Sequence, residues 1–599
     1  MTTRLIAAAL VGLSIVYLAL FVPQGWIPHD EGMIGQAAER VMNGERPHVD
    51  YLEPYTGGQA WIHALLFRFA GIDLIYPRWL LFAGAVVALI LVYLILRRYV
   101  TPIPAAIGVW LALGWSFPNY FAAIPSWWLL IWALASLWAF LRFVETGKLR
   151  YAATAGLAAG FSILTKQTGL YLLVALVMAL LYDGIGEERE KQPYWPGRLV
   201  CASVAVGAIG LAFTILAARL TLSDLIYLFL PIFACSRLLL ATDGRQSPNQ
   251  SWDWLLAPGI AIAAATLPLL AFAAPYVFDG QIKTLIIGLV VLPQKRVQLA
   301  SLELPPAHWI LAGLPLVAIL MPLPRRLRVP ALNTGLATVT AWILGALLVV
   351  ASLYDFTSYQ IIWQTGRSFG AVLPVAICAL LLSRELHDRT QRKILFGAAT
   401  FLAWASLVQV PFSAPIYYCY VTPLAVIAAI AAAGNTGALH RPVLAVSAAV
   451  LVAFGVGSMN RGDIYNLGGI HRPVARYEPL NLDRASLRVS RADGVTYRRV
   501  VELITSHIGN GSLVAGPDAP EVYFLTGTVS PSGTLFDFLT DQVSLETGLN
   551  DLPGLATASV VVLNHGRQFA QGPSVHLAKK ARRMFPNSET VGTLEVRWR

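Results

Sequence analysis

Charged residues are what this 599-residue sequence lacks most: Asp, Glu, Lys and Arg together make up 13% of it. A soluble domain carries about 25%, so most of the chain sits in a solvent that does not reward charge. Cysteine is also scarce. Cys201, Cys235, Cys378 and Cys419 each lie in or beside an apolar run and have no paired spacing. That excludes a disulfide framework, and they read as small core residues. Gly509, Gly511 and Gly516 have neither the spacing nor the strand-before-loop context of a dinucleotide fingerprint. His29, His48 and His63 lack metal-ligand spacing, so no cofactor and no metal site are expected. The net charge of +11 does not point to nucleic acid, because the basic residues sit mostly in short segments between apolar runs.

Apolar residues fill the chain instead. They make up 56% of it, and the mean hydropathy is +0.62. Runs of about 17–25 apolar residues recur, the length needed to cross a hydrocarbon core as a helix. Gly (48) and Pro (36) are frequent within them, as membrane helices tolerate. Tyr and Trp cluster at their ends, where interfacial aromatics belong. The expected architecture is a mainly α, polytopic helical membrane bundle of about 13–15 spans with a C-terminal extracytoplasmic α/β domain.

Basic residues mark cytoplasmic segments. Arg4 precedes a first run, Leu5–Val22, with no A-x-A-like cleavage site, so it is expected to remain as a span. Residues 23–76 then form a first external loop. Arg97 and Arg98, then Arg142, Lys148 and Arg150, mark the inner ends of the next spans. The turn Thr165–Gly169 falls outside. Asp279–Pro306 and Tyr354–Gly366 are also expected as external loops. Leu222–Leu240 holds Asp224 and Arg237, and parity favours its spanning. Residues 1–457 are thus read as the membrane domain. Residues 458–599 turn polar, with helix-like runs (495–507, 520–525, 575–584) and strand-like runs (512–515, 558–563, 591–598), the alternation of a small α/β domain.

The first loop carries the chemistry. It reads Pro28-His29-Asp30-Glu31-Gly32, then Pro47-His48-Val49-Asp50-Tyr51. Acids at the membrane edge are costly and functional by default. Gly32–Asn43 has the spacing of a surface-lying amphipathic helix, and Gly57–Phe69 is a second interfacial segment. This places Asp30 and Glu31 at the boundary between water and lipid, a depth that suits a substrate with a lipid tail and a polar head. Two carboxylates near cations suit glycosyl transfer from a lipid phosphate. A carboxylate acts as general base on a hydroxyl, and cations stabilise the departing phosphate. The outward-facing cations are Lys166, Lys295, Arg296 and Arg367. Lys166 interrupts the apolar run Ala152–Leu181.

These segments resemble the C-type membrane glycosyltransferases, in particular the branch with protein O-mannosyltransferases and aminoarabinose transferases. The resemblance rests on His29-Asp30-Glu31 with its following helix, on Pro47–Tyr51, on Gly160–Lys166 and on Phe412-Ser413-Ala414-Pro415-Ile416-Tyr417-Tyr418. It extends to about residue 430. It implies a catalytic Asp30 with Glu31 beside it, a polyprenyl-phosphate-linked sugar donor and an inverting transfer to a lipid, glycan or protein acceptor. Asp50, Lys166, Arg296 and Arg367 would bind substrate. The chain departs from the family at Glu53-Pro54-Tyr55-Thr56-Gly57-Gly58, where many relatives have a His-Lys-Pro-Pro-like stretch.

Each residue also has a purely structural reading. Asp30 and Glu31 suit a helix N-terminus, Asp50 a turn, Lys166 a snorkelling position, Lys295 and Arg296 lipid head groups, and Arg367 helix packing. The alternative function is a transporter or flippase of lipid-linked sugars in the same plasma membrane. It would call for inverted repeats and midplane charges, and neither stands out.

Overall fold

The computed structural model describes residues 2–184, 195–241, 252–294, 301–320, 334–383, 386, 388–434, 441–458, 477–540, 543–544, 548–566 and 571–599. Lys295 and Arg296 lie outside them. The helices in chain order are α1 (Thr2–Ala19), α2 (Pro28–Met42), α3 (Gly58–Ala70), α4 (Ile75–Leu96), α5 (Pro102–Gly114), α6 (Pro125–Thr146), α7 (Leu149–Thr165) and α8 (Leu170–Gly184). Next come α9 (Trp195–Ala217), α10 (Leu222–Ala241), α11 (Leu256–Phe278), α12 (Ile282–Val290), α13 (Leu314–Leu320), α14 (Thr334–Tyr354) and α15 (Phe356–Leu382). The bundle closes with α16 (Arg389–Ala405), α17 (Pro415–Cys419), α18 (Thr422–Ala433) and α19 (Arg441–Ser458).

Among the described residues, eight helices (α1, α4, α6, α8, α9, α10, α11 and α15) are long and apolar enough to cross a membrane. Several shorter apolar helices accompany them, α18 among them. The protein is a multi-pass membrane protein. The apolar stretch 105–121 is α5 followed by a separate 3-10 turn, Phe117–Tyr120.

Two expected loops are corrected. Tyr354–Gly366 is helical, with only Asp355 between α14 and α15. The Asp355 carboxylate accepts from Ser358 N (2.6 Å) and Ser358 Oγ (2.8 Å), so it caps α15. Its polar residues made the segment look like a loop. Asp279–Pro306 likewise contains the apolar α12. At α10 the charge of Asp224 is satisfied at the start of the helix: Thr221 and Asp224 form a reciprocal capping box, and Arg219 pairs with Asp224 at 2.8 Å.

Helix packing relies on small residues, as expected where lipid offers no hydrophobic drive. Gly156 and Gly160 of α7 lie so close to Ala261 and Ala265 of α11 that a β-carbon at either would overlap the facing carbonyls. Two of the cysteines also meet: Cys235 Sγ of α10 lies 3.7 Å from Cys378 Sγ of α15.

Strands occur after residue 477. A short antiparallel pair, β1 (Tyr477–Pro479) with β2 (Arg488–Ser490), leads into α20 (Arg491–Ile508). β3 (Ser512–Gly516) and α21 (Pro520–Thr526) follow, then the two-residue strands β4 (Val543–Ser544) and β5 (Gly548–Leu549). β6 (Ala558–Asn564), α22 (Val575–Met584), β7 (Asn587–Val591) and β8 (Leu594–Trp598) complete the chain. The main sheet has the order β3-β6-β8-β7, with β3 parallel to β6 and the other pairs antiparallel. Its two faces are covered separately. Leu513, Val560 and Val596 pack with α20 and α21, whereas Val514, Val561 and Leu563 pack against Leu577 and Ala581 of α22.

The first face does not close on its own. Trp26, Ala38, Phe67 and Leu74 of segment 23–76 are buried in the same apolar cluster. Backbone bonds join the two parts as well: Gly25 N donates to Arg488 O (2.7 Å), Arg488 N to Pro23 O (2.7 Å) and Leu52 N to Gly533 O (2.8 Å). The adjacency of the two segments therefore has a physical origin in a shared core.

Candidate active site

Asp30 and Glu31 stand in the first turn of α2. Successive helical residues point about 100° apart, so neighbours at i and i+1 do not face one another. The two acids accordingly have different surroundings. Glu31 is 3% exposed and meets the fully buried Arg78 of α4. Arg78 Nε donates to Oε1 (2.6 Å) and an Nη to Oε2 (2.7 Å), while Ile27 N donates to Oε2 (3.0 Å). The rest of the guanidinium donates to the carbonyls of Val22, Gln24 and Gly25. This bidentate pair fixes the start of α2 to α4.

Asp30 is partly open, at 15% side-chain exposure. Tyr120 Oη donates to its Oδ2 at 2.7 Å, and His29 Nε2 lies 3.8 Å from Oδ1. Burial, reinforced by the Asp30 carboxylate, pushes the Tyr120 hydroxyl well above the ordinary phenol range. Tyr120 is therefore a donor to Asp30 and not a competing base.

Lys166 sits at the end of α7, where a 3-10 turn over Gln167–Gly169 reverses the chain. It is 7% exposed. Its Nζ donates to Ser126 Oγ (3.1 Å) and lies over the rings of Tyr55 (5.4 Å) and Tyr417 (5.6 Å). Aromatic faces attract a cation by their quadrupoles, and at this depth the side chain is largely shielded from water. The divergent stretch at residues 53–58 brings Tyr55 here. Thr56 Oγ1 donates to Ile163 O (2.7 Å), and the Glu53 carboxylate accepts from Tyr55 N (3.2 Å). Glu53 is itself buried, and burial raises its carboxyl to about 7.

Segment 415–420 connects the predicted residues. Tyr417 packs on Lys166. Tyr418 Oη donates to Gly366 O (2.6 Å), beside Arg367 in α15. The Tyr420 hydroxyl is pushed up first by burial, then by Tyr417 and by the Asp30 carboxylate. The rings of Tyr417 and Tyr420 are 5.5 Å apart. One short helix and the residue after it thus touch the surroundings of Asp30, Lys166 and Arg367.

Arg367 is 5% exposed and bonds Gln409 Oε1 (3.1 Å) and Ser413 O (2.9 Å). Arg219 reaches the same bend, at Pro411 O and Ser413 Oγ. The two arginines hold the bend that delivers Tyr417. Asp50 does not join the cluster. It is exposed, and its carboxylate accepts from Arg46 N (2.7 Å) within a turn. Among the described residues no three His, Cys, Asp or Glu side chains converge on a metal position.

Sequence reasoning missed Arg78, Tyr120, Tyr55 and Tyr420. Arg78 carried a usable signal, a lone charge entering an apolar run. The tyrosines looked like any interfacial aromatic. A cavity of about 740 Å³ lies alongside, between α5, α15, α18 and α19. Its wall is mainly apolar, including Ile107, Trp115, Phe369, Ile430 and Leu451. Gly366 and Tyr418 border it toward the site, and Arg97 and Arg98 border it elsewhere.

A family model described as dolichyl-phosphate-mannose-protein mannosyltransferase matches residues 58–209. The match covers about a quarter of the chain and supports reading the protein as a membrane glycosyltransferase. The matched stretch includes Arg78, Tyr120 and Lys166; it begins after Asp30 and ends before Arg367. No curated protein sequence matches. Among solved structures, the apo oligosaccharyltransferase of Archaeoglobus fulgidus aligns at a TM-score of 0.40 and 10% identity, covering 93% of this chain and 69% of that one. ArnT from Cupriavidus metallidurans, bound to undecaprenyl phosphate, aligns at 0.31 and 10%, covering 100% and 97%.

Proposed function

We propose that this transferase moves a sugar from a polyprenyl-phosphate carrier to the hydroxyl of a lipid, glycan or protein acceptor on the extracytoplasmic face of the plasma membrane. The observation that carries the reading is the gathering of a partly open carboxylate, Asp30, and a desolvated ammonium, Lys166, around one cluster of tyrosines. α4 and α6 support this orientation. Each has its site residue at one end (Arg78, Ser126) and its basic residues at the other (Arg97 and Arg98; Arg142). Arg98 and Arg142 share Glu145 there. Basic ends face the cytosol, so the site faces away from it, and the C-terminal unit lies on the same side as the site.

In this mechanism Asp30 accepts the proton of the acceptor hydroxyl as its oxygen attacks the anomeric carbon. The bond from that carbon to the phosphate oxygen breaks on the opposite face. The lipid phosphate leaves with the bonding pair, and Lys166 meets its charge. Attack opposite the leaving group inverts the anomeric centre. Arg367 and the adjoining apolar cavity lie on the donor side, where the isoprenoid chain occupies the space between α5, α15, α18 and α19. Glu31 acts through Arg78 and holds α2 in place. The test is transfer from a radiolabelled polyprenyl-phosphate sugar in proteoliposomes. Asp30→Asn should fold as the parent does and lose turnover. Retained transfer would refute the assignment, and sugar movement across the vesicle without transfer would favour a flippase.

A further inference from the structure

The helix that carries Asp30 has a second face, and that face lies against the C-terminal unit. A β-carbon on Gly32 would overlap the backbone of Glu521 and lie 2.6 Å from its Cβ. A β-carbon on Gly35, three residues on along the same face, would lie 2.5 Å from Cδ2 of Phe524. The residues of α21 therefore touch the backbone of α2 directly. Phe524 is fully buried, stacks on Phe67 at 6.2 Å and lies under the Arg484 guanidinium, which pairs with Glu39 of α2. Further along, Gln36 Nε2 donates to Thr528 O (2.9 Å) and Arg40 donates to Ser530 O (2.8 Å).

We infer that α21 is a positioning element for the general base: it presses on α2 through Gly32 and Gly35 and so sets where Asp30 meets the acceptor. The inference rests on Asp30 being that base. Arg78 fixes the first turn of α2 to the membrane helices through Glu31, and α21 meets the face of α2 turned away from Asp30, at Gly32 and one turn on at Gly35. With both supports in place, α2 cannot roll about its axis, and the Asp30 carboxylate stays on Tyr120. If the first loop only needed to be covered, ordinary side-chain packing would suffice. Backbone-to-backbone contact holds a helix position much more tightly, because no rotamer change can relieve it.

The residues on the donor side have supports of their own: Lys166 bonds Ser126 and lies over Tyr55 and Tyr417, and Arg367 bonds Gln409 and Ser413. Displacing α2 should therefore lower kcat and leave the donor KM nearly unchanged, the signature of an interaction needed only in the transition state. A misplacement of about 1 Å can cost about 100-fold in rate.

The experiment uses the full chain in proteoliposomes with the radiolabelled donor. Gly32→Ala and Gly35→Ala are each expected to lower kcat by at least about 10-fold, with donor KM changed by less than about threefold. Phe524→Leu, whose branch can turn aside, should restore Gly35→Ala to within about threefold of the parent. It should do nothing for Gly32→Ala, which meets backbone. A milder variant, Gln36→Leu, removes only the bond to Thr528 and should lower kcat by about threefold; it serves if the glycine variants do not fold. Parent-like kcat in the glycine variants or in Gln36→Leu, or a double variant with no recovery, would overturn the positioning role. If Asp30→Asn is active, the assignment of the base fails first. If it is dead while the glycine variants are active, only the role of α21 fails.

Discussion

Replacing Arg78 by Leu tests whether Glu31 is a structural partner or a reacting group. The guanidinium is fully buried and makes five hydrogen bonds: two to Glu31 and one each to the carbonyls of Val22, Gln24 and Gly25. Breaking a buried ion pair from one side costs about 3–5 kcal/mol, because the remaining charge is left without a partner. The three carbonyls add to this cost, at about 1–3 kcal/mol for each that water cannot reach. Arg78→Leu should therefore be severe. Glu31→Leu should also destabilise, by about 3 kcal/mol or more, since it leaves the arginine charge buried. The double variant removes both charges and should be about 2–3 kcal/mol more stable than the sum of the singles implies. It should remain less stable than the parent, because the carbonyls of residues 22, 24 and 25 still lack a donor. Unfolding of the four proteins in detergent, followed by denaturant titration, gives the cycle. Additive single effects would refute the pairing and with it the role of Glu31 as an anchor for α2.

Three further outcomes follow from the site. Tyr120→Phe removes one charge-assisted bond to Asp30 and should lower kcat by about 10-fold or more without unfolding the protein; an unchanged rate would mean the tyrosine does not orient the base. Lys166→Met should lower transfer about 100–1,000-fold, as loss of an oxyanion donor does, and Lys166→Arg should not rescue it, since a planar fork does not fit where an ammonium lies between Tyr55 and Tyr417. Glu53 gives a pH effect. Its carboxyl is raised by burial to about 7, above the unfolded value of about 4.3. Its contribution is complete below the unfolded value and is lost as pH rises through about 7. Detergent-solubilised protein should therefore lose stability on the order of 3 kcal/mol between pH 5 and 8 on account of this group. Glu53→Gln should flatten that part of the profile.

What the sequence made legible follows from periodicity and solvent. Apolar runs became helices because lipid leaves the backbone no other partner. The C-terminal elements were readable because their apolar periods switch between helix and strand. The helix at 575–584 was placed at its observed ends, and the strand expected at 591–598 is the second arm of a hairpin that opens at Asn587. Lys166 drew notice as a charge inside an apolar run, and its neighbour Tyr417 lies 5.5 Å from Tyr420. Other features depend on tertiary pairing and leave little local trace. Adjacent acids looked like a pair, yet on a helix they diverge. The polar residues after Tyr354 looked like a loop, yet Asp355 caps a helix that runs through Arg367. Cys235 and Cys378 are far apart in sequence and close in space.

Segment 415–420, a short helix and the residue after it, has a consequence for how this protein can change. Asp30, Lys166 and Arg367 come from distant stretches of chain, but their surroundings are tied to consecutive residues of a single support. Substitutions in that support cannot adjust the surroundings of the three residues independently. Strong epistasis should therefore concentrate there, and shifts in substrate preference should arise more readily from the surrounding loops.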